Sequence, residues 1–241
     1  DMMVNMMREH IPSDARIHYV ITNGGKAPNV VPDFAEVYYY VRHGNRKMVV
    51  DIFDRITKAA EGAALGTGTT MKYELIGGTH ELLPNTTLQK MMYANLVKVG
   101  GVQYTEAEKE FGKQIIQSLG IENGDLSKAA VIQPYKNLDP SFGSTDVGDV
   151  SFAVPTAGMG SATWVPGTPA HSWQAVAAGG TDIGNKGMMV AAKTIALTAI
   201  DLFLHPDQIA KAKAELEEKR GKDFKYIPLL GDRKPALDYR K

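Results

Sequence analysis

His171 lies in TPAHSWQ (168–174), after a proline-bearing turn and two residues before one of the two tryptophans. A neutral imidazole after a turn is a good zinc ligand. A zinc site takes roughly three or four ligands, however. The other histidines (His10, His18, His43, His80 and His205) form no HExxH or similar pairing. On spacing alone His171 is either a metal ligand or an ordinary loop histidine. Arg42 closes EVYYYVR (36–42) on the same strand face as Tyr38 and Tyr40. It either clamps a substrate carboxylate through paired N–H groups or sits on the open face of a sheet. Asn29, held between two prolines in APNVVP, is either an aimed amide or a good turn residue. Asp146 and Asp149 in GSTDVGDVS either cap a turn through their own backbone or orient a ligand or water from behind. Neither aspartate receives a firm role. GGTDIGNKG (179–187) is not a phosphate loop, because no Gly-Lys-Ser/Thr stands at the required spacing. It reads as a loop leading into a helix.

These groups need a frame. RIHYVIT (16–22) alternates, with Ile17, Tyr19 and Ile21 on one face and Arg16, His18, Val20 and Thr22 on the other. AEVYYYVR (35–42) alternates again, with Val37, Tyr39 and Val41 on one side and Glu36, Tyr38, Tyr40 and Arg42 on the other. An apolar stripe of Val49, Ile52, Phe53, Ile56 and Ala60 gives a helix over 45–64, and MKYELI (71–76) reads as a third strand. The opening DMMVNMMREHIP reads as a helix already under way, with Met3, Met6 and Met7 on one face and Pro12 stopping it. Residues 1–84 therefore form a small α+β unit, an antiparallel sheet with helices on one face.

Residues 85–241 read as an α/β layer. Asn85 is an N-cap, and Thr105 with Glu108 forms a capping box. AAVIQ (129–133), DVSFAVP (149–155) and ATWVP (162–166) read as short strands. The helix over 184–203 is apolar almost all round, which predicts burial. Lys186, Lys193 and Asp201 argue against its spanning a membrane. Pro206 suits a first helical turn, and the helix after it carries Lys211–Glu215 and Lys213–Glu217 at i,i+4 spacing.

With 241 residues, 44% of them apolar, the chain can bury a sizeable core. Lys plus Arg and Asp plus Glu number 27 each, which supplies no basic stripe for nucleic acid or an anionic membrane. Cysteine is absent, so disulfides and thiolate metal sites are excluded within the chain, and a reducing, cytoplasmic setting is expected.

APNVVPDFAEVYYYVR resembles the lid (dimerisation) domain of the metal-dependent amidohydrolases that include aminoacylase and carboxypeptidase G. GSTDVGDVSFAVPT, GTPAHSWQAVA, the GNKGMMVAAKTIALTAIDLF helix and the AKAELEEKRGKDFKYIP segment are most similar to the aminobenzoyl-glutamate hydrolase branch. The resemblance runs in order over essentially the whole chain. It implies a catalytic α/β domain holding two divalent metal ions, zinc or manganese, with an inserted α+β lid that pairs two subunits. Metal-bound water then attacks an amide carbonyl, with a glutamate as general base. Under the resemblance His171 is the last metal ligand, and Asn29 and Arg42 recognise the substrate carboxylate. The family's remaining ligands, its general base and its lid histidine fall before this chain begins. The expectation is a C-terminal half: a partial lid over 1–84 and half a catalytic domain over 85–241. Its expected partners are a small-molecule amide substrate, a second copy through the lid, and the missing N-terminal half. The alternative is a non-catalytic assembly or binding module.

Overall fold

The alternation of RIHYVIT and EVYYYVR is realised as a hairpin. The computed structural model describes residues 1–136 and 143–230, together with Lys234 and Leu237. Strands β1 (Arg16–Asn23) and β2 (Glu36–Arg42) pair antiparallel, with Arg16 opposite Arg42, His18 opposite Tyr40, and a register irregularity between Ile21 and Asn23. Helix α2 (Arg46–Thr67) follows. The Asn45 side chain caps it by accepting from the Met48 N–H, and Gly68 ends it in the left-handed conformation at φ 67°. Glycine meets that geometry without a Cβ clash.

The chain divides into two compact units. The first holds 1–82 with the described parts of 142–149 and of the tail from Lys225; the second holds 83–141 and 150–224, as far as they are described. In the first unit Ile17, Ile52 and Ile56 pack with Val4, Met7 and Ala15, and Tyr39 and Val41 close over them. Removing a side chain such as Ile52 from water contributes about 1.5–3 kcal/mol. The first helix, α1 (Met2–Met7), buries Val4 and Met7, whereas Met3 and Met6 are exposed. The expected methionine stripe is therefore wrong by part of a turn. The strand expected over 71–76 does not form. A strand is completed by a partner ladder, and among the described residues the only sheet is the β1–β2 pair.

The second unit is helical among the described residues: α3 (Thr86–Val99), α4 (Glu106–Ser118), α5 (Val147–Ala153, which begins in the first unit), α6 (Trp173–Gly179), α7 (Asp182–Leu204) and α8 (Pro206–Arg220). Asn85 caps α3 through Leu88 N–H, and Thr105 with Glu108 closes the expected capping box on α4. Ile115, Ile116, Val165, Ala178 and Ile183 form the core. The three short strands expected here are absent. Residues 126–130 are a 3-10 turn, 147–153 are α5, and 162–166 have no regular structure. Short apolar runs fit a helix and a strand equally well, and the missing signal is a partner.

Helix α7 also departs from expectation. It packs on α3, α6 and α8 and buries Ile183, Gly184, Gly187, Thr194 and Thr198. Met188, Met189, Ile195, Ile200, Phe203 and Leu204 remain exposed. Its 23 residues are long and apolar enough to cross a bilayer by length and composition. Its buried stripe is nonetheless small and partly polar. Asn95 Nδ2 donates to Asp201 at 2.7 Å and to the Thr198 hydroxyl at 3.3 Å.

On α8 the expected Lys211–Glu215 pair is replaced by Lys211–Asp207 at 3.0 Å. Glu215 is drawn elsewhere. It accepts the Thr86 and Thr87 N–H groups at 2.6 and 2.9 Å, the Thr87 hydroxyl at 2.7 Å and the Lys219 ammonium at 2.7 Å. Burial alone would raise this carboxyl. The bonds from Lys219, Thr87 and Thr86 outweigh it and hold Glu215 far below the usual carboxylate range.

Candidate functional site

His171 stands immediately before the N-cap of α6. Ser172 accepts the Ala175 N–H with its hydroxyl at 3.2 Å and donates to the Pro169 carbonyl at 2.8 Å, so it ties the loop to the helix it starts. Buried Val165 and Thr168, bridged by a 3.1 Å backbone bond, anchor the loop from behind. His171 itself is exposed and has φ 61°, the only positive φ among the described non-glycine residues. That conformation costs about 1–3 kcal/mol for a residue with a Cβ, and such outliers cluster at functional sites. The imidazole is thus presented outward from a loop pinned on both sides.

Arg42 is half-buried at the end of β2. The open face beside it carries Tyr38 and Tyr40, their hydroxyls 3.4 Å apart and their rings tilted at 5.1 Å. His43, next in sequence, pairs with Asp14 at 3.3 Å, and its Nδ1 accepts the Asn45 N–H at 2.9 Å. Asn29 is exposed in the connection between the strands, in a turn closed by Val30 N–H to Ala27 O at 3.2 Å. It leaves the hairpin at the end opposite Arg42.

The first unit also holds a cluster that no local sequence pattern signals. His80 is buried, and its ring stacks on Tyr226 with centroids 5.4 Å apart. Asp149 accepts the His80 backbone N–H at 3.2 Å and the Tyr226 hydroxyl at 2.8 Å, and lies 4.0 Å from His80 Nε2. By accepting that hydroxyl, Asp149 pushes the Tyr226 phenol above its ordinary value. A Cβ on Gly148 would run into the His80 carbonyl oxygen, so only glycine allows the approach. Arg46 ties in the neighbouring residues, with its N–H to Glu81 at 3.2 Å and its guanidinium to Ile227 O at 3.0 Å. The first and last partners are far apart in sequence, and that hides such a cluster from local pattern reading. Asp149 therefore has a defined set of partners, while Asp146 is exposed.

Among the described residues no group of three or more His, Asp or Glu side chains stands together in a way that could hold a metal ion. His171 alone does not make a zinc or manganese centre. The residues present do not by themselves fit the two-metal site that the resemblance implies.

No family model matches the chain. It is 39% identical over 239 aligned positions to a p-aminobenzoyl-glutamate hydrolase subunit from Escherichia coli (strain K12), covering 89% of this chain and 50% of that protein. It is 29% identical to the Xaa-Arg dipeptidase of Mus musculus and 27% to that of Homo sapiens, each over 90% of this chain and 44% and 43% of theirs. The chain spans about half the length of the curated relatives it matches. Similarity to these proteins over about nine-tenths of its length relates this chain to the amidohydrolases and peptidases they typify.

Proposed function

We propose that the protein carrying this chain is a metal-dependent hydrolase that cuts an amide bond in a small N-acyl amino acid or an aminobenzoyl-glutamate-like substrate. Water adds across the C–N bond, releasing the acyl acid and the free amino acid. What carries this reading is the 39% identity to a p-aminobenzoyl-glutamate hydrolase subunit over 89% of the chain. The strained, outward-facing His171 supports it as one imidazole ligand of a metal centre whose other ligands lie outside the described residues. Zinc or manganese suits such a ligand set.

Asn29 and Arg42 recognise the substrate carboxylate in this proposal. A guanidinium–carboxylate pair contributes about 1.5–3 kcal/mol. Arg42→Ala in the full-length protein is expected to raise KM about 10- to 100-fold with little change in kcat. An unchanged KM rules out that role. The first relative is named as a subunit, which supports a partner chain, and we extend this to pairing of two copies through the hairpin unit. The test of the reading as a whole is release of free glutamate from N-(4-aminobenzoyl)-L-glutamate by the full-length protein, abolished by a chelator and restored by zinc or manganese. No release from any N-acyl amino acid would favour the second reading, a non-catalytic assembly or binding module. That reading draws on the lack of a metal-ligand trio among the described residues.

A further inference from the structure

Both tryptophans of the chain flank the His171 loop, Trp164 seven residues before the histidine and Trp173 two residues after it. Indoles are on average well buried, yet Trp173 is 63% exposed and Trp164 39%. The loop is anchored by other residues, Val165 and Thr168, which lie between the two tryptophans in sequence and are buried. Nor does helix α6 need the Trp173 ring for its core contact. It buries Gln174, Ala175 and Ala178. Trp173 and Val176, at i,i+3 spacing, share its outward face, and Val176 is 78% exposed. The Ser172 cap fixes the turn that carries the indole. Two residues of chain span about 7 Å at most, so the Trp173 backbone lies close to that of His171. The result is an exposed indole, on a capped helix start, beside the candidate site histidine.

We infer that Trp173 is a specificity-determining residue whose indole stacks on the aromatic acyl group of the substrate, with Val176 widening the apolar surface. This inference rests on the hydrolase reading above, which assigns residues to the substrate carboxylate and none to the aryl ring. In that reading His171 belongs to the reacting centre. In an N-aroyl amino acid the ring is bonded directly to the carbonyl carbon at which the C–N bond breaks, so the ring lies close to that centre. An indole gives an arene an offset-stacked contact that an acetyl group cannot return. The size of the patch also suits one ring. On α6 it comprises two side chains, far short of the roughly 20–30 residues a side in a stable protein interface. The contact holds the ring in the ground state and the transition state alike, so its loss belongs in KM.

The experiment measures kcat and KM of the full-length protein for N-(4-aminobenzoyl)-L-glutamate and for N-acetyl-L-glutamate, which share the leaving residue and differ in the ring. Each variant is compared with the parent on the same substrate, so the intrinsic reactivity of each amide cancels. Trp173→Ala is expected to raise KM for the aminobenzoyl substrate about tenfold, with kcat within about twofold. Its kcat/KM for the acetyl substrate should stay within about twofold of the parent's, which also reports an intact fold. Trp173→Phe keeps a ring and should hold KM for the aminobenzoyl substrate within about threefold. If the parent cleaves only the aminobenzoyl substrate, the contrast between the Phe and Ala variants decides. An aminobenzoyl KM unchanged in Trp173→Ala overturns the inference and leaves the hydrolase reading standing. So does an equal loss on both substrates, or a loss in Trp173→Phe as large as in Trp173→Ala, since Trp173 would then serve the loop and not an arene. Cleavage of the acetyl substrate alone overturns it too. Cleavage of neither substrate by the parent overturns the hydrolase reading and this inference with it.

Discussion

The helical unit and the hairpin unit use their polar side chains in opposite ways. In the helical unit, polar groups close backbone ends and bury themselves against other helices. Glu215 receives the first N–H groups of α3, Asn85 caps the same helix and donates to Ala212 O at 2.8 Å, and Asn95 reaches Asp201. In the hairpin, one face supports the core through Ile17, Tyr39 and Val41, and the other turns Arg16, His18, Tyr40 and Arg42 outward. Polar groups that are capped and mutually satisfied serve structure, because any ligand would have to break existing bonds. On the proposed function the outward face of the hairpin, through Arg42, is the one that meets substrate. The His80–Asp149–Tyr226 cluster is the exception inside the first unit. It ties the residues around 80 to the segment near 226.

The contrast is sharpest at Glu215. Glu215→Ala removes three acceptor bonds at the start of α3 and one from Lys219 on α8, and is expected to lower stability by about 2–3 kcal/mol, read as the shift in urea midpoint. A loss under about 0.5 kcal/mol would show that the cap is incidental. The same carboxyl sets an acid dependence. Its folded pKa lies below its unfolded one, so its contribution is complete above the ordinary glutamate range and declines as pH falls below about 4.3 toward the folded value. A Glu215→Gln protein should show a flatter loss of stability over that acid range, and parallel curves would contradict the assignment.

Next in size is Asp149→Asn, which weakens the acceptor for the Tyr226 hydroxyl and the His80 N–H. It is expected to cost about 1–2 kcal/mol. It should also return the phenol toward its ordinary titration range, visible by ultraviolet absorbance near 295 nm in ~0.1 M salt. An unmoved Tyr226 titration would break the cluster as described. Smallest is Thr105→Ala on the exposed capping box of α4, expected at about 1 kcal/mol with no effect on any substrate parameter. A change in KM there would blur the division between capped and open regions.

Local features of the fold were legible in the sequence. The hairpin alternation, the α2 stripe, the Asn85 cap, the Thr105–Glu108 box and Pro206 at the start of α8 all depend on residues a few positions apart. What failed depends on distant partners. Runs 71–76, 129–133 and 162–166 had strand composition but are not strands in the structure, where the only sheet among the described residues is the β1–β2 pair. Glu215 was assigned to Lys211 by spacing, yet it pairs with Lys219 and with Thr86 and Thr87, the last two 129 and 128 residues away. Helix α7 was apolar enough to be buried, but what packs on it is settled by its neighbours. Of the candidate site, Arg42 was singled out by its strand face and His171 by its turn, and the roles proposed for them come from the family resemblance.

On the proposed function the hairpin holds substrate and His171 is this chain's single metal ligand, so the chain by itself is expected to bind metal weakly. Bound metal per chain, measured by elemental mass spectrometry on the purified 241-residue chain after equilibration with zinc or manganese, is the most direct check. The expected result is at most one weakly held ion, lost in His171→Asn, a substitution that tolerates the left-handed backbone. Two tightly held ions per chain, or retention of metal in His171→Asn, would contradict it.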